Sequence, residues 1–96
     1  MRHYRRMLFM VIERFHDGDP LPVYRRLRDE GRHMSADLTY LGSWVSTDLT
    51  TCYQIMECDR QEQLDDWIAH WTDLVDFEVI SVRHSATVVA EIQSKL

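Results

Sequence analysis

The chain has 96 residues, of which 45% are hydrophobic, and this fits a single domain over residues 1–96 near the lower end of sizes that build an adequate core unaided. Its net charge of −5 at pH 7, with Lys95 as the only lysine, argues against nucleic acid as a partner, because phosphate contacts need a basic surface. No apolar stretch approaches the ~20 residues that span a bilayer, so we expect a soluble, cytoplasmic protein without a membrane partner.

The first predicted element is a strand over residues 7–12, which reads Met-Leu-Phe-Met-Val-Ile and is apolar on both faces. Successive strand side chains point to opposite sides of a sheet, so this segment needs an apolar cover on each side. Helices of the same chain can supply one cover, and a second copy of the chain can supply the other. We therefore predict a homodimer in which the partner covers the face that carries Phe9 and Val11.

Turn residues and periodicity divide the rest of the chain into further elements. In chain order these are a helix that begins near Leu21 and ends between Gly31 and Met34, strands over residues 38–47 and 51–58, a helix after Asp59, a strand over residues 75–82 and a short terminal helix over residues 86–96. The arginines assigned to the outer side of the first helix are Arg25, Arg26, Arg28 and Arg32. Residues 48–50 predict the tight turn of a hairpin, and Gly42 predicts a bulge in its first strand.

The helix after Asp59 has the strongest periodic signal in the chain. Its apolar residues recur at helical spacing: Leu64, Trp67, Ile68, Trp71 and Leu74. Asp59 is the predicted N-cap, and Glu62 three residues later completes a capping-box pair. The inner side of this helix is therefore large and aromatic.

Strand, helix, strand, strand, helix, strand is the element order of a ferredoxin-like domain. With right-handed crossovers, this order gives an α+β fold with a four-stranded antiparallel sheet of order 4-1-3-2 and both helices on one face. The predicted core spans about residues 7–84, with short extensions at both ends. The first strand is central in this order, which agrees with its apolar character.

Alternation along the strands assigns the two faces of the sheet. The residues assigned to the helix-facing side are Leu8, Met10, Ile12, Tyr53, Ile55, Phe77 and Val79. The residues assigned to the opposite side are Phe9, Val11, Glu13, Trp44, Gln54, Met56, Glu78, Ile80 and Val82. Because the first and last strands run antiparallel, Glu13 then lies near Glu78. Two close carboxylates raise the pKa of one of them, as in general acid and base pairs, although both can instead lie in water or pair with arginine.

His70 is a further candidate for proton transfer. It follows Asp66 by four residues and precedes Asp73 by three, so a helix places all three side by side. An Asp–His pair can orient an imidazole, and it can equally be a surface ion pair. Residues 16–19 offer a nitrogen and carboxylates to a cation, but their composition is typical of a turn. We predict no metal site and no cofactor, because phosphate-binding and metal-binding motifs are absent from the sequence.

Cys52 and Cys58 lie six residues apart in one predicted strand, which separates them by about 20 Å. No disulfide can join them at that distance. Free thiols in a reducing compartment are the expectation, in agreement with a cytoplasmic location.

Aromatic residues are the candidates for a binding site. They can line a flat apolar cavity between sheet and helices, and plain core packing explains them equally well. The predicted lining residues are Trp44, Tyr53, Gln54, Trp67 and Trp71. The ligand expected there is a small apolar or aromatic metabolite.

The stretch from Met7 to about Val82 resembles a small bacterial family of uncharacterised proteins in the dimeric α/β-barrel, ferredoxin-like superfamily. The matching segments are MLFMVIERF, GDPLPVYRRLRDEGR, LTYLGSWV, CYQIMEC and LDDWIAHWTDLVDFEVISV. The resemblance implies the ferredoxin-like fold and a dimer formed back to back through the sheets. It implies no activity, and related families in the wider group include cofactor-free monooxygenases, isomerases and binding modules.

The sequence leaves three hypotheses for function. The first is a homodimer that binds a small molecule between sheet and helices. The second is a cofactor-free monooxygenase or isomerase with Glu13 or Glu78 as base and His70 or Tyr53 as proton donor. The third is a purely structural association module. A buried carboxylate that faces a cavity would favour the enzyme, whereas a closed core would favour the structural module.

Overall fold

A computed structural model describes residues 6–96 of the chain. The strands are β1 (Met7–Phe15), β2 (Thr39–Val45), β3 (Thr51–Cys58) and β4 (Val75–Val82). The helices are α1 (Leu21–Glu30), α2 (Gln61–Ile68) and α3 (Ser85–Ile92), and short 3-10 helices cover His16–Gly18 and Gln93–Lys95. Residues 1–5 of the predicted domain lie outside the described residues.

The strands form one antiparallel sheet of order β2-β3-β1-β4. This is the predicted order 4-1-3-2 counted from the opposite edge, and the predicted ferredoxin-like α+β fold is confirmed. β1 is a central strand, as its two apolar faces indicate. The predicted bounds of β3 and β4 are confirmed, and β2 is shorter than predicted.

The structure corrects the predicted faces of β1 and β3. Phe9 and Val11 are 2% and 0% exposed and belong to the buried core, whereas alternation assigns them to the opposite side. Val11 lies opposite Gln54 of β3 and Val79 of β4, and residues opposite each other in an antiparallel pair share a face. Because β1 is apolar on both faces, its alternation cannot decide which face meets the helices.

The open face of the sheet therefore carries Trp44, Ile80 and Val82, as predicted, but different apolar side chains of β1 and β3 from those predicted. We call the apolar side chains of this face the open-face patch: Leu8, Met10, Ile12, Trp44, Tyr53, Ile55, Ile80 and Val82. Its side chains form cross-strand rows, such as Ile55, Met10 and Ile80 on β3, β1 and β4. Within the single chain, Trp44, Tyr53 and Ile80 are exposed, and the other five side chains are partly exposed. The second apolar face that the sequence of β1 predicts is thus present and uncovered.

α2 begins one residue away from its predicted cap. The N-cap is Arg60 rather than Asp59. The Gln63 side chain accepts hydrogen bonds from the backbone N–H groups of Arg60 at 3.1 Å and Asp59 at 3.0 Å. Gln63 therefore takes the role predicted for Glu62.

Trp71 stays on the inner side of the protein although α2 ends at Ile68. The N–H of Trp71 donates to the carbonyl of Ile68 at 2.9 Å, and the N–H of Val75 donates to the carbonyl of Trp71 at 3.0 Å. These tight turns keep Trp71 buried with Leu64 and Trp67. The periodic pattern predicts the buried side chains correctly, although it overstates the length of the helix.

The β2–β3 hairpin has the predicted bulge and turn. The pairing register shifts between Tyr40 and Gly42, and side-chain hydrogen bonds among residues 46–50 close the turn. The bulge changes the alternation of β2, so that Ser43 lies on the helix-facing side and Trp44 on the open face.

α3 lacks the cover that the sheet gives to α1 and α2. It has no buried residue, and Val89 and Ile92 are among its exposed apolar side chains. The Cα radius of gyration is 15.6 Å, compared with about 12.5 Å for a compact domain of this length. The stability of a helix as short as α3 is marginal in water when the helix does not pack against other elements.

Candidate functional site

A cavity of about 90 Å³ lies between the helix-facing side of the sheet and the two helices α1 and α2. Its floor consists of polar side chains on three adjacent strands: Glu13, Ser43, Cys52 and Gln54. Its walls are apolar or aromatic: Phe15, Val23, Leu27, Trp67 and Trp71. A mostly apolar cavity with a few convergent polar groups is the usual form of a small-molecule site.

Glu13 is the unusual member of this lining. Its side chain is 8% exposed, and its Oε2 atom has no hydrogen-bond partner among residues 6–96. Burial raises the pKa of the Glu13 carboxyl to about 7, and the positive charge of Arg32 opposes this shift only in part. Near neutral pH the carboxyl can therefore both donate and accept a proton.

The central position of β1 explains why Glu13 is buried. It lies opposite Cys52 of β3 and Phe77 of β4, so neighbouring strands cover it on both sides. An ionised carboxylate in such a place loses its hydration without compensation. An apolar residue would pack there at no such cost, which makes the buried Glu13 a candidate functional residue.

Both cavity tryptophans are held by one backbone carbonyl. Nε1 of Trp67 donates to the carbonyl oxygen of Arg32 at 2.7 Å, and Nε1 of Trp71 donates to the same oxygen at 3.3 Å. These bonds satisfy the polar edges of the indoles and fix the segment that follows α1. Both indoles line the cavity, and the Arg26 guanidinium lies over the ring of Trp71, with its carbon 5.6 Å from the ring centroid.

Tyr24 and Arg32 are the exposed members of the lining, and they mark the mouth of the cavity. The Arg32 guanidinium lies over the ring of Tyr40, with its carbon 4.0 Å from the ring centroid. Among residues 6–96, Arg32 makes no ion pair with an acidic side chain. Partial burial and the nearby Cys52 and Glu13 raise the pKa of Tyr24, so its hydroxyl stays protonated at neutral pH.

The remaining polar groups of the floor are poor nucleophiles. Burial, with the charge of Glu13, raises the pKa of the Cys52 thiol to about 11, so the reactive thiolate is scarce. Gln54 is 3% exposed, and its Nε2 lies 3.3 Å from the sulfur of Met56. Cys52 and Cys58 are both free, as predicted.

The structure divides the predicted ligand-binding residues between two faces of the sheet. Gln54, Trp67 and Trp71 line the cavity. Trp44 and Tyr53 lie opposite each other on the open face, where they are 63% and 41% exposed. Tyr53 is not part of the cavity because β3 has the opposite alternation from the one predicted, and Trp44 lies on the open face, the side to which alternation assigns it.

The predicted pair of Glu13 and Glu78 is wrong. Glu78 lies opposite Ile12, on the open face, and forms an ion pair with Arg14 at 3.0 Å. Glu13 lies opposite Phe77 on the helix-facing side. The two carboxyl groups are separated by the sheet, and burial rather than a second carboxylate perturbs Glu13.

His70 is also absent from the cavity lining. It lies beyond the end of α2, where its ring stacks on His33 with centroids 4.8 Å apart. Asp73, predicted to flank His70, instead pairs with Arg26 at 2.6 Å. The predicted Asp–His–Asp group therefore does not form.

The loop over residues 16–19 uses its polar side chains within the protein. Nε2 of His16 lies 3.0 Å from Oδ1 of Asp76, and Oδ1 of Asp19 accepts a hydrogen bond from the N–H of Leu21 at 3.0 Å. Within residues 6–96, His, Cys, Asp and Glu side chains form no group arranged to hold a metal ion. In the same part of the chain, no helix is both long enough and apolar enough to cross a membrane.

Tyr24, Arg32 and Cys52 line the cavity although sequence reasoning did not select them. The sequence places Arg32 with the outward-facing arginines of the first helix. Gly31, at φ 78°, ends α1 immediately before Arg32 and changes the direction of the chain. A helix-ending glycine was the available signal that Arg32 leaves the outer face of the helix.

Fold and cavity together define a small ferredoxin-like α+β domain with one buried acid beneath its helices. The chain belongs to the family described as a domain of unknown function (DUF3303), which matches residues 7–96. Neither a curated protein nor a solved structure matches the chain significantly.

Proposed function

We propose that the protein binds a small apolar or aromatic molecule in the cavity, with Glu13 as the polar group that recognises it. The observation that supports this proposal most strongly is the buried Oε2 atom of Glu13, which has no partner among residues 6–96. A polar group left unpaired in an apolar site is costly, and a ligand with a matching group would remove that cost. At ~30 Å³ for each water, the cavity of about 90 Å³ corresponds to about three waters, so a ring-sized ligand would extend into the mouth at Tyr24 and Arg32.

A cofactor-free enzyme is the second candidate, and a specific observation favours it. The pKa of Glu13 is about 7, which suits a group that takes a proton from a substrate and returns it. The protonated hydroxyl of Tyr24 lines the same cavity as a hydrogen-bond donor. An isomerase needs only this proton exchange, whereas a monooxygenase would need dioxygen as a further substrate. Turnover of a bound ligand would distinguish the enzyme from the binding protein.

Substitution of Val23 by phenylalanine is expected to abolish binding of a small aromatic probe such as benzyl alcohol. Val23 is 8% exposed and lines the cavity, so the added ring would occupy the space of the ligand. The NMR shifts of the indole N–H groups of Trp67 and Trp71 report binding. Thermal unfolding shows whether the variant is folded.

The matched control for the cavity variant is Val88→Phe on α3, outside the cavity lining, which should leave binding unchanged. Two results would overturn the proposal. One is wild-type protein that binds no small aromatic probe at millimolar concentration. The other is a folded Val23→Phe variant that binds the probe as tightly as the wild type.

We also propose that the protein forms a homodimer through the open-face patch, in the manner of a dimeric α/β barrel. Large exposed apolar surfaces on a small protein indicate an interaction site. Trp44 at 63% and Tyr53 and Ile80 at 41% exposure belong to the patch, beside the half-buried Met10. A second copy supplies a surface of the same character, and a two-fold axis places like rows against each other.

A cytoplasmic location is part of the same proposal, because the free buried cysteines suit a reducing compartment.

A further inference from the structure

We infer that the cavity ligand is a small organic acid, whose anionic group pairs with Arg32 at the mouth while its uncharged body lies between Glu13 and the tryptophans. This inference rests on the proposed binding function and adds the chemical class of the ligand. Arg32 is the only basic side chain that lines the cavity within the described part of the chain.

Neither Arg32 nor Arg25 has an acidic partner among residues 6–96, and of these two arginines only Arg32 lines the cavity. Arg26 on α1 donates two hydrogen bonds to Asp73, at 2.8 and 2.6 Å, and Arg14 pairs with Glu78 at 3.0 Å. Arg32 has no acidic partner among residues 6–96 and contacts the face of the Tyr40 ring instead. Stacking on an aromatic face leaves the edge of a guanidinium, with its N–H groups, open to a carboxylate.

The backbone of Arg32 is fixed as well as its side chain. Its carbonyl oxygen accepts hydrogen bonds from the indoles of Trp67 and Trp71 at 2.7 and 3.3 Å. The same residue therefore anchors the aromatic wall and presents a charge at the mouth. Because the Arg32 side chain is fixed at its backbone and at its guanidinium, it loses little further conformational freedom when it binds an anion. This favours a high affinity.

The charge distribution favours an anion over a cation. An ammonium group would have to pass Arg32 and then require an ionised Glu13, which lies 8% exposed among apolar walls. A carboxylate at the mouth avoids both costs, because it meets Arg32 directly and leaves Glu13 neutral. Neutral Glu13 can then hydrogen-bond to a polar atom in the body of the ligand.

Three ring compounds of similar shape test the inference: benzoate, benzyl alcohol and benzylamine. At pH 7 and low salt we expect wild-type protein to bind benzoate at least ~10-fold more tightly than benzyl alcohol, through the charge-assisted hydrogen bonds of Arg32. Benzylamine should bind most weakly. The advantage of benzoate over benzyl alcohol should disappear in Arg32→Gln, so that the ratio of the two affinities falls to about one.

Arg25→Gln is the matched control, because Arg25 is an exposed arginine of α1 that does not line the cavity. It removes the same charge and should preserve the preference for benzoate. Equal binding of benzoate and benzyl alcohol, or tightest binding of benzylamine, would overturn the acid inference and leave the proposed binding function intact. Failure of all three compounds to bind would overturn the proposed function itself.

Discussion

Glutamine in place of Glu13 is expected to stabilise the protein by up to about 3 kcal/mol at pH 8, with little effect at pH 4.5. The folded chain holds the Glu13 proton up to a pKa of about 7, whereas the ordinary value is 4.5. Between these two pH values the Glu13 carboxyl is ionised in the unfolded chain but still protonated in the folded chain. The free energy of unfolding therefore falls as pH rises. The loss is complete above pH 7 and corresponds to the difference between the two pKa values. Glutamine keeps the shape of the neutral acid and never ionises.

Urea unfolding of both proteins between pH 4.5 and pH 8 measures this difference directly. The matched control is Glu78→Gln, which changes an exposed carboxylate on the open face that pairs with Arg14. That variant should show no gain in the free energy of unfolding as pH rises. A difference between wild type and Glu13→Gln that stays constant with pH would show that Glu13 is not a buried, neutral acid.

Glutamate in place of Met10 is expected to convert the proposed dimer to a monomer. Met10 lies at the centre of the open-face patch, between Ile55 on β3 and Ile80 on β4. In a two-fold dimer the substitution buries two like charges in an apolar contact, and this should weaken association by at least ~100-fold. Light scattering during size-exclusion chromatography, or native mass spectrometry, would report the change in mass.

Because Met10 lies on the other side of the sheet from the cavity, the monomeric variant should still bind benzyl alcohol. Leu21→Glu adds the same charge at an exposed apolar residue of α1 and should remain dimeric. Wild-type protein that is monomeric at tens of micromolar would refute the dimer. A dimer that persists in Met10→Glu would show that the contact lies elsewhere.

Much of the fold is predictable from local patterns in the chain. The order of elements, the sheet order and the aromatic stripe of Trp67 and Trp71 depend on periodicity and turn residues, which act over short distances. The faces of β1 could not be predicted in this way. A strand that is apolar on both sides satisfies either orientation, and only the register with β4, whose Phe77 faces the helices, decides between them.

Local patterns also fail to predict the environment of the residues at the candidate site. Glu13 was selected from the sequence, but on the argument that it meets Glu78; its actual environment depends on which face of β1 the helices cover. The pattern of α1 groups Arg32 with the outward arginines, whereas its actual position depends on the turn after Gly31 and on its contact with Tyr40. Contacts between residues far apart in sequence determine both roles.

We propose above all that Glu13 is a buried acid in a cavity that accepts a ligand. An NMR titration of its side-chain carboxyl carbon, assigned by comparison with Glu13→Gln, tests this claim most directly. We expect a midpoint near pH 7 that shifts when benzyl alcohol is added. A midpoint near 4.5, unchanged by the alcohol, would mean that water reaches the carboxyl freely and that the cavity recognises nothing through it.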